Sequence, residues 1–250
     1  MDQSVMMMVL LLDIGNTRCK WGVWRDGRIT DTGALLHADM HHRDAWQFVR
    51  GCQRAVVCNV AGNDVLNLVV QQLNDVIGVK PDVARVTHEH AGVRCAYENP
   101  RRLGVDRWMA ALYASRRGPA PVMVVDAGTA MTIDVVADFQ HLGGLIVPGL
   151  ALMERSLMQR TADIDVDAPA PSAAAWGMTT SDAVRNGALV ALAGAVERAM
   201  RMSGDAPMPA EQVVVTGGDG ETLAGALTFD AVFEAHVVLE GLAIYAGLHE

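Results

Sequence analysis

The chain has 250 residues, 51% of them apolar, and a formal charge of −9. That is apolar material for one large domain or two modest ones. With no long Lys/Arg block to offset it, a field of that sign excludes nucleic acid as a partner, and an anionic ligand would need locally concentrated donors or a metal ion.

Residues 5–12 (VMMMVLLL) are apolar but too short to span a bilayer. Asp2 and Asp13 flank them where a signal peptide would carry basic residues and a cleavage site, so no membrane association is expected. The pattern over 5–13 is that of a strand covered on both faces. Shorter strands are predicted at 19–24 and 29–36, with the turn signal RDGR at 25–28 between them. A strand at 55–60 and a helix from 64 to about 74 follow, the latter with Leu66, Val69, Val70 and Leu73 at helical spacing. Residues 85–87 are expected to return to the sheet. A Pro- and Gly-punctuated loop, 91–103, leads into a helix from about 105 to 117.

The stretch Gly118-Pro119-Ala120-Pro121 is the sharpest boundary and predicts halves of 1–118 and 119–250. Past it the opening theme recurs. An apolar strand, 122–126, ends in an aspartate, Ala127-Gly128-Thr129 makes a tight turn, and a second strand spans 131–136. Two halves, each opening with a hairpin whose first strand delivers an aspartate, indicate an internal duplication. Residues 142–147 continue the sheet, 150–159 predict a helix, and the Ala/Pro-rich 168–175 a surface loop. The longest helix is predicted at 180–202, with Asp182 favourable near its start. A strand at 213–215 runs into Thr216-Gly217-Gly218-Asp219-Gly220, and a terminal helix, 238–248, completes an α/β pattern.

Three of these segments carry possible chemistry. In Asp13-Ile14-Gly15-Asn16-Thr17, glycine at a tight hairpin lets backbone N–H groups approach an anion, with Asn16, Thr17 and Lys20 as further donors. Asp13 at the strand end would be positioned to hold Mg²⁺, directly or through water. An ordinary Asp/Gly/Asn turn with a solvated lysine is the alternative reading. The second segment, Asp126-Ala127-Gly128-Thr129, repeats the device, and two such loops favour nucleotide binding where one would not. In the third, Gly104 frees the backbone before Asp106 and Arg107 open a helix. A carboxylate there can take a proton from a substrate hydroxyl while the adjacent guanidinium holds a substrate carboxylate. Taken alone, Asp106 reads rather as a helix-start acid favoured by the dipole, with a surface Arg beside it.

The motifs DIGNTRCK, YENPRRLGVDRW, DAGTAMTID, GGLIVPG, GMTTSDAVRNG and VTGG occur together in that order. This set resembles the type III pantothenate kinases, the Bvg accessory factor family, from about Leu10 onward. The resemblance implies a fold of two duplicated ribonuclease H-like (actin-like ATPase) halves with an active-site cleft between them. It implies ATP-dependent phosphorylation of the pantothenate hydroxyl, with Mg²⁺ accompanying ATP and K⁺ or NH₄⁺ as monovalent cation. Asp13, Ile14, Gly15, Asn16, Thr17, Arg18, Cys19, Lys20 and Thr129 would contact ATP and its Mg²⁺. Tyr97, Gly104, Val105, Asp106, Arg107 and Thr180 would line the pantothenate site, with Asp106 as catalytic base, and Asp126 would bind the monovalent cation. A homodimer is implied, with 143–149 near its interface.

Thr180 reads alternatively as a helix cap. The rivals are a related kinase acting on another small acid or sugar, and a non-catalytic nucleotide-binding regulator. Cys19, Cys52, Cys58 and Cys95 form no CxxC pair, which points to reduced thiols in a cytoplasm. The histidines show no metal-ligand spacing, and His41-His42 and His88-Glu89-His90 read as solvated loop residues.

Overall fold

A computed structural model describes residues 7–159, 174–204 and 210–249. The chain divides into two units, one comprising residues 1–113 and 237–250, the other residues 114–236. Residues 5 and 6 of the opening apolar run, and 168–173 of the expected surface loop, lie outside the described residues.

In the first unit the apolar run becomes β1 (Val9–Ile14), buried at all six positions. A strand with no polar face must be covered on both sides, and β1 is the middle strand of five. It pairs antiparallel with β2 (Arg18–Arg25), which pairs antiparallel with β3 (Arg28–Leu36). The β2–β3 turn places Asp26 (φ 56°) and Gly27 (φ 74°) in the left-handed region. That backbone matches the twist of a two-residue hairpin. On its other side β1 pairs in parallel with β4 (Arg54–Asn59), and β4 with the two-residue β5 (Asp82–Val83).

Two 3-10 segments, His37–His41 and Arg43–Val49, and helix α1 (Asn63–Ile77) cover one face of this sheet. Met40, Trp46, Val49, Val69 and Leu73 are fully buried there with Leu10, Leu12 and Ile14. The small hairpin β6 (Glu89–His90) and β7 (Val93–Arg94) follows. A 3-10 turn, Pro100–Arg102, capped by the Asn99 side chain, leads into α2 (Val105–Ser115).

The expectation that 85–87 returns to the sheet is not met. Pairing stops at β5, and the Arg85 N–H is bonded instead to the Tyr245 hydroxyl, 3.3 Å away.

The second unit repeats the plan. β8 (Val122–Ala127), β9 (Ala130–Ala137) and β10 (Gln140–Pro148) form an antiparallel meander. β8 also pairs in parallel with β11 (Gln212–Thr216), and β11 with β12 (Val232–Phe233). The order β10-β9-β8-β11-β12 therefore matches β3-β2-β1-β4-β5 in strand sequence and direction. Even the second hairpin turn corresponds, with Asp138 (φ 46°) and Phe139 (φ 54°) at positive φ. Helices α3 (Leu150–Met158), α4 (Thr180–Gly204) and α5 (Gly220–Ala224) belong to this unit. Leu150, Leu189, Leu192, Val196 and Leu223 pack on Met123, Val125, Met131 and Ile133.

The last helix, α6 (Val237–Tyr245), belongs to the first unit, whereas the sequence-based halves put it in the second. Its packing gives the reason. Leu239 lies against Gly22 of β2, and Gly241 abuts the backbone of Met109 in α2 so closely that a Cβ there would collide with the Met109 carbonyl. By contrast Gly194, in the interior of α4, faces open space.

Gly241→Ala should accordingly destabilise the protein by about 1–3 kcal/mol through overpacking. Gly194→Ala should stabilise it by roughly 0.5–1 kcal/mol through helix propensity alone. Thermal unfolding of the two variants beside the parent checks both signs.

Candidate active site

Asp13 interrupts an otherwise apolar β1 one residue before its end, and is 9% exposed. The sheet register sets it opposite Lys20 of β2 and opposite Cys58 of β4. Beyond it the hairpin closes through the Gly15 N–H, which donates to the Arg18 carbonyl at 3.1 Å. Asn16, Thr17 and Arg18 are thereby left exposed at the tip. Two contacts brace this loop from behind. The Val60 N–H donates to the Ile14 carbonyl at 3.0 Å, and His37 Nε2 lies 2.9 Å from the Gly15 carbonyl. A carbonyl only accepts, so His37 carries its proton on Nε2 in this contact.

Asp106 stands in the first turn of α2, where the helix dipole favours a carboxylate. Gly104 is the capping residue, its carbonyl accepting from the Trp108 N–H at 3.0 Å. A Cβ on Gly104 would come 2.5 Å from Asp106 Oδ1, so glycine there is a requirement of the carboxylate's position. That same oxygen accepts from the Arg107 N–H at 2.8 Å. The Arg107 side chain is 5% exposed, and its Nη1 donates to the Tyr97 hydroxyl at 3.1 Å. The guanidinium carbon also sits 5.9 Å from the Tyr97 ring centroid. Tyr97 and Arg107, ten residues apart, thus form one unit of structure.

Cys58 is paired with Asp13 and feels the charge of both acidic residues. Its thiol is fully buried, and its pKa is pushed well above the ordinary thiol value. Burial is the largest cause, followed by the negative charges of Asp13 and Asp106 and a hydrogen bond to Asp13. Both carboxylates therefore lie within electrostatic reach of one buried sulfur. Cys19, also buried, is raised by the same two kinds of cause, desolvation first and Asp13 second. Neither thiol is a nucleophile in this setting.

In the second unit Asp126 is half-buried, opposite Thr132 of β9 and Thr216 of β11. Glycines crowd its carboxylate. Gly217, at φ 97°, would place a Cβ 2.5 Å from Asp126 Oδ1, and Gly128 would place one at 3.7 Å. The Gly149 N–H donates to the Thr129 carbonyl at 3.0 Å, and the Asp219 N–H to the Ala127 carbonyl at 3.0 Å. Thr129 itself is exposed. The donors assembled here, one carboxylate and the carbonyls of a tight turn, are hard oxygens of the kind that suit an alkali cation. Asp13 with phosphate oxygens and water is of the kind that suits Mg²⁺.

Thr180 opens α4 and is exposed, lining a hollow of about 570 Å³ with Met153, Ser156, Leu157 and Val184. Its neighbour Thr179 does the capping, accepting from the Asp182 N–H at 3.1 Å.

The profile of the family described as type III pantothenate kinase matches residues 9–202. The chain belongs to the type III pantothenate kinase family. It is 38% identical to the type III pantothenate kinase of Aromatoleum aromaticum over 249 residues, covering 96% of this chain and 98% of that one. Against the type III pantothenate kinase of Nitrosococcus oceani identity is 34% over 251 residues, covering 94% and 92%. Among solved structures, a conserved Baf family protein from Campylobacter jejuni, described as a transcriptional activator, superposes with a TM-score of 0.60 at 23% identity, covering 96% of this chain and 98% of that one. The ethanolamine utilization protein EutJ from Carboxydothermus hydrogenoformans gives 0.53 at 10% identity, covering 94% and 89%. These two likenesses establish the fold, which is α/β with two mixed sheets of the actin-like ATPase kind.

Two residues of this family member escaped sequence reasoning. His37 sits in a segment without helical or strand periodicity. Cys58 was visible only as a thiol, because nothing local says which residue of β4 comes to rest beside Asp13.

Proposed function

We propose that the protein transfers the γ-phosphoryl group of ATP to the hydroxyl of pantothenate, forming 4′-phosphopantothenate and ADP, the first step of coenzyme A biosynthesis. The observation that carries this reading is Asp106 at the start of α2 beside an Arg107 already held by Tyr97, in a chain that the type III pantothenate kinase profile matches over residues 9–202.

Phosphoryl transfer needs positioning and charge stabilisation more than covalent help from the protein. Residues 13–20, the loop from Asp13 through Ile14, Gly15, Asn16, Thr17, Arg18 and Cys19 to Lys20, receive the ATP phosphates, the exposed tip offering its N–H groups and side chains. Gly104 and Val105 leave the backbone open beside the acceptor. Asp106 takes the proton of the pantothenate hydroxyl as its oxygen attacks the γ-phosphorus and the bond to the ADP oxygen breaks. Arg107 pairs with the pantothenate carboxylate, so the opposite end of the molecule faces the phosphate. Thr180 is assigned to pantothenate and Thr129 to ATP. Mg²⁺ bound with ATP at Asp13, and K⁺ or NH₄⁺ at Asp126, would supply positive charge to the phosphate oxygens.

A second copy of the chain is the proposed partner of the exposed apolar residues of the second unit, among which Leu145, Ile146, Leu152, Leu157, Trp176 and Met178 are each at least 40% exposed. Among the described residues no helix is long and apolar enough to cross a membrane.

A coupled assay with pantothenate and MgATP, with and without added K⁺, should show ADP release that depends on pantothenate. Purified protein that binds ATP yet phosphorylates no pantothenate with K⁺ present would overturn the reading. Asp106→Asn should cut turnover by about 10²-fold or more while ATP binding persists. Asp126→Ala should abolish activation by K⁺ or NH₄⁺, and activation surviving in that variant would place the ion elsewhere. Light scattering should give the mass of two chains, against one for Ile146→Asp.

A further inference from the structure

We propose that Cys58 is a positioning residue for the phosphate loop: its S–H donates to Asp13 and so decides which carboxylate oxygen is left to face the nucleotide and its metal ion. This rests on the reading of Asp13 as the residue that meets MgATP.

The geometry begins with register. Asp13 and Cys58 are directly paired across parallel strands β1 and β4, so their side chains leave the sheet on the same face. Cys58 is fully buried and Asp13 is 9% exposed. A carboxylate so poorly hydrated takes its orientation from the donors packed against it. The thiol, paired with it across the two strands and buried on the same face, is one such donor. A thiol with an ordinary pKa of about 8.5 is a neutral donor at neutral pH, so it adds no third negative charge where phosphates are to bind.

A second observation points the same way from the other half of the chain. There the strand-end aspartate is Asp126, and its partner across the parallel pair β8–β11 is Thr216, 2% exposed. The duplicated sheet thus sets a small, buried side chain with a hydrogen-bond donor opposite the aspartate in both units. An aliphatic residue would satisfy the apolar surroundings in both places. What Cys58 and Thr216 share is a donor, which packing alone does not require.

The test separates donation from volume. Cys58→Ser keeps a donor and Cys58→Ala removes it, while both delete the sulfur and differ by one hydroxyl. MgATP affinity is read by calorimetry with a non-hydrolysable ATP analogue and Mg²⁺, in the absence of acceptor, and KM is measured separately for each substrate. Cys58→Ala should weaken binding of the Mg²⁺ analogue complex and raise KM for MgATP about tenfold or more, the scale of a lost hydrogen bond to a charged group, while Cys58→Ser stays within about threefold of the parent. KM for pantothenate should move little in either.

A Cys58→Ala protein that binds the complex like the parent overturns the proposal. So does a Cys58→Ser protein as weak as Cys58→Ala, since volume would then be the cause. Should both variants lose thermal stability, the difference between them still reads the donor. Asp13→Asn distinguishes the premise: if it binds the complex normally, the assignment of Asp13 falls and the proposal with it. If Asp13→Asn loses binding and Cys58→Ala does not, only the thiol's role falls.

Discussion

A carboxylate at the end of a buried strand is costly unless other groups hold it. Asp13 is that carboxylate, and the first unit is arranged around it. The sheet sets the Cys58 thiol opposite it, the hairpin beyond it is braced by Val60 and His37, and the start of α2 brings Asp106 within reach of the same sulfur. An acid held this way faces a cation or a phosphate-bound metal ion without first reorganising, which is the form of electrostatic help that phosphoryl transfer rewards. Asp106 is served differently. It is half-buried, favoured by the helix dipole, and given its room by the missing side chain of Gly104.

The duplicated plan explains how one sheet topology serves two purposes. In each unit an antiparallel meander aims a tight turn past the end of its first strand, and a parallel strand flanks the aspartate from the other side. The surroundings then diverge. Asp13 has Lys20 across its hairpin and a loop of exposed polar residues beyond. Asp126 has threonines on both sides, a closely packed Gly217, and a turn whose carbonyl is tied to Gly149. On the proposed reading the first setting receives the ATP phosphates and the second a monovalent cation.

Much of this is legible in the residues themselves. The apolar run into Asp13, its echo at Asp126, the turn signals and the long helix α4 all have a local cause, either a period or a turn residue. The six ordered motifs pointed to the family that the profile over residues 9–202 establishes. The rest depends on contacts distant in sequence. Residues 37–49 wind in 3-10 pieces too short to show a period, although Met40, Trp46 and Val49 are core. β5 is two residues long and is recognised only by its pairing with Val56 and Val57. The return of α6 to the first unit is decided by the fit of Gly241 on Met109. The partnership of Asp13 with Cys58 follows from a register that no local pattern carries.

The account stands on Asp13 and Asp106 acting on the same phosphoryl transfer, and a double-mutant cycle addresses this directly. kcat/KM would be measured for the parent, Asp13→Asn, Asp106→Asn and the double variant, under saturating Mg²⁺. If both carboxylates serve one step, the double variant loses far less than the product of the single losses, a strong non-additivity. Losses that simply multiply would mean that the two residues act independently, and would contradict the account.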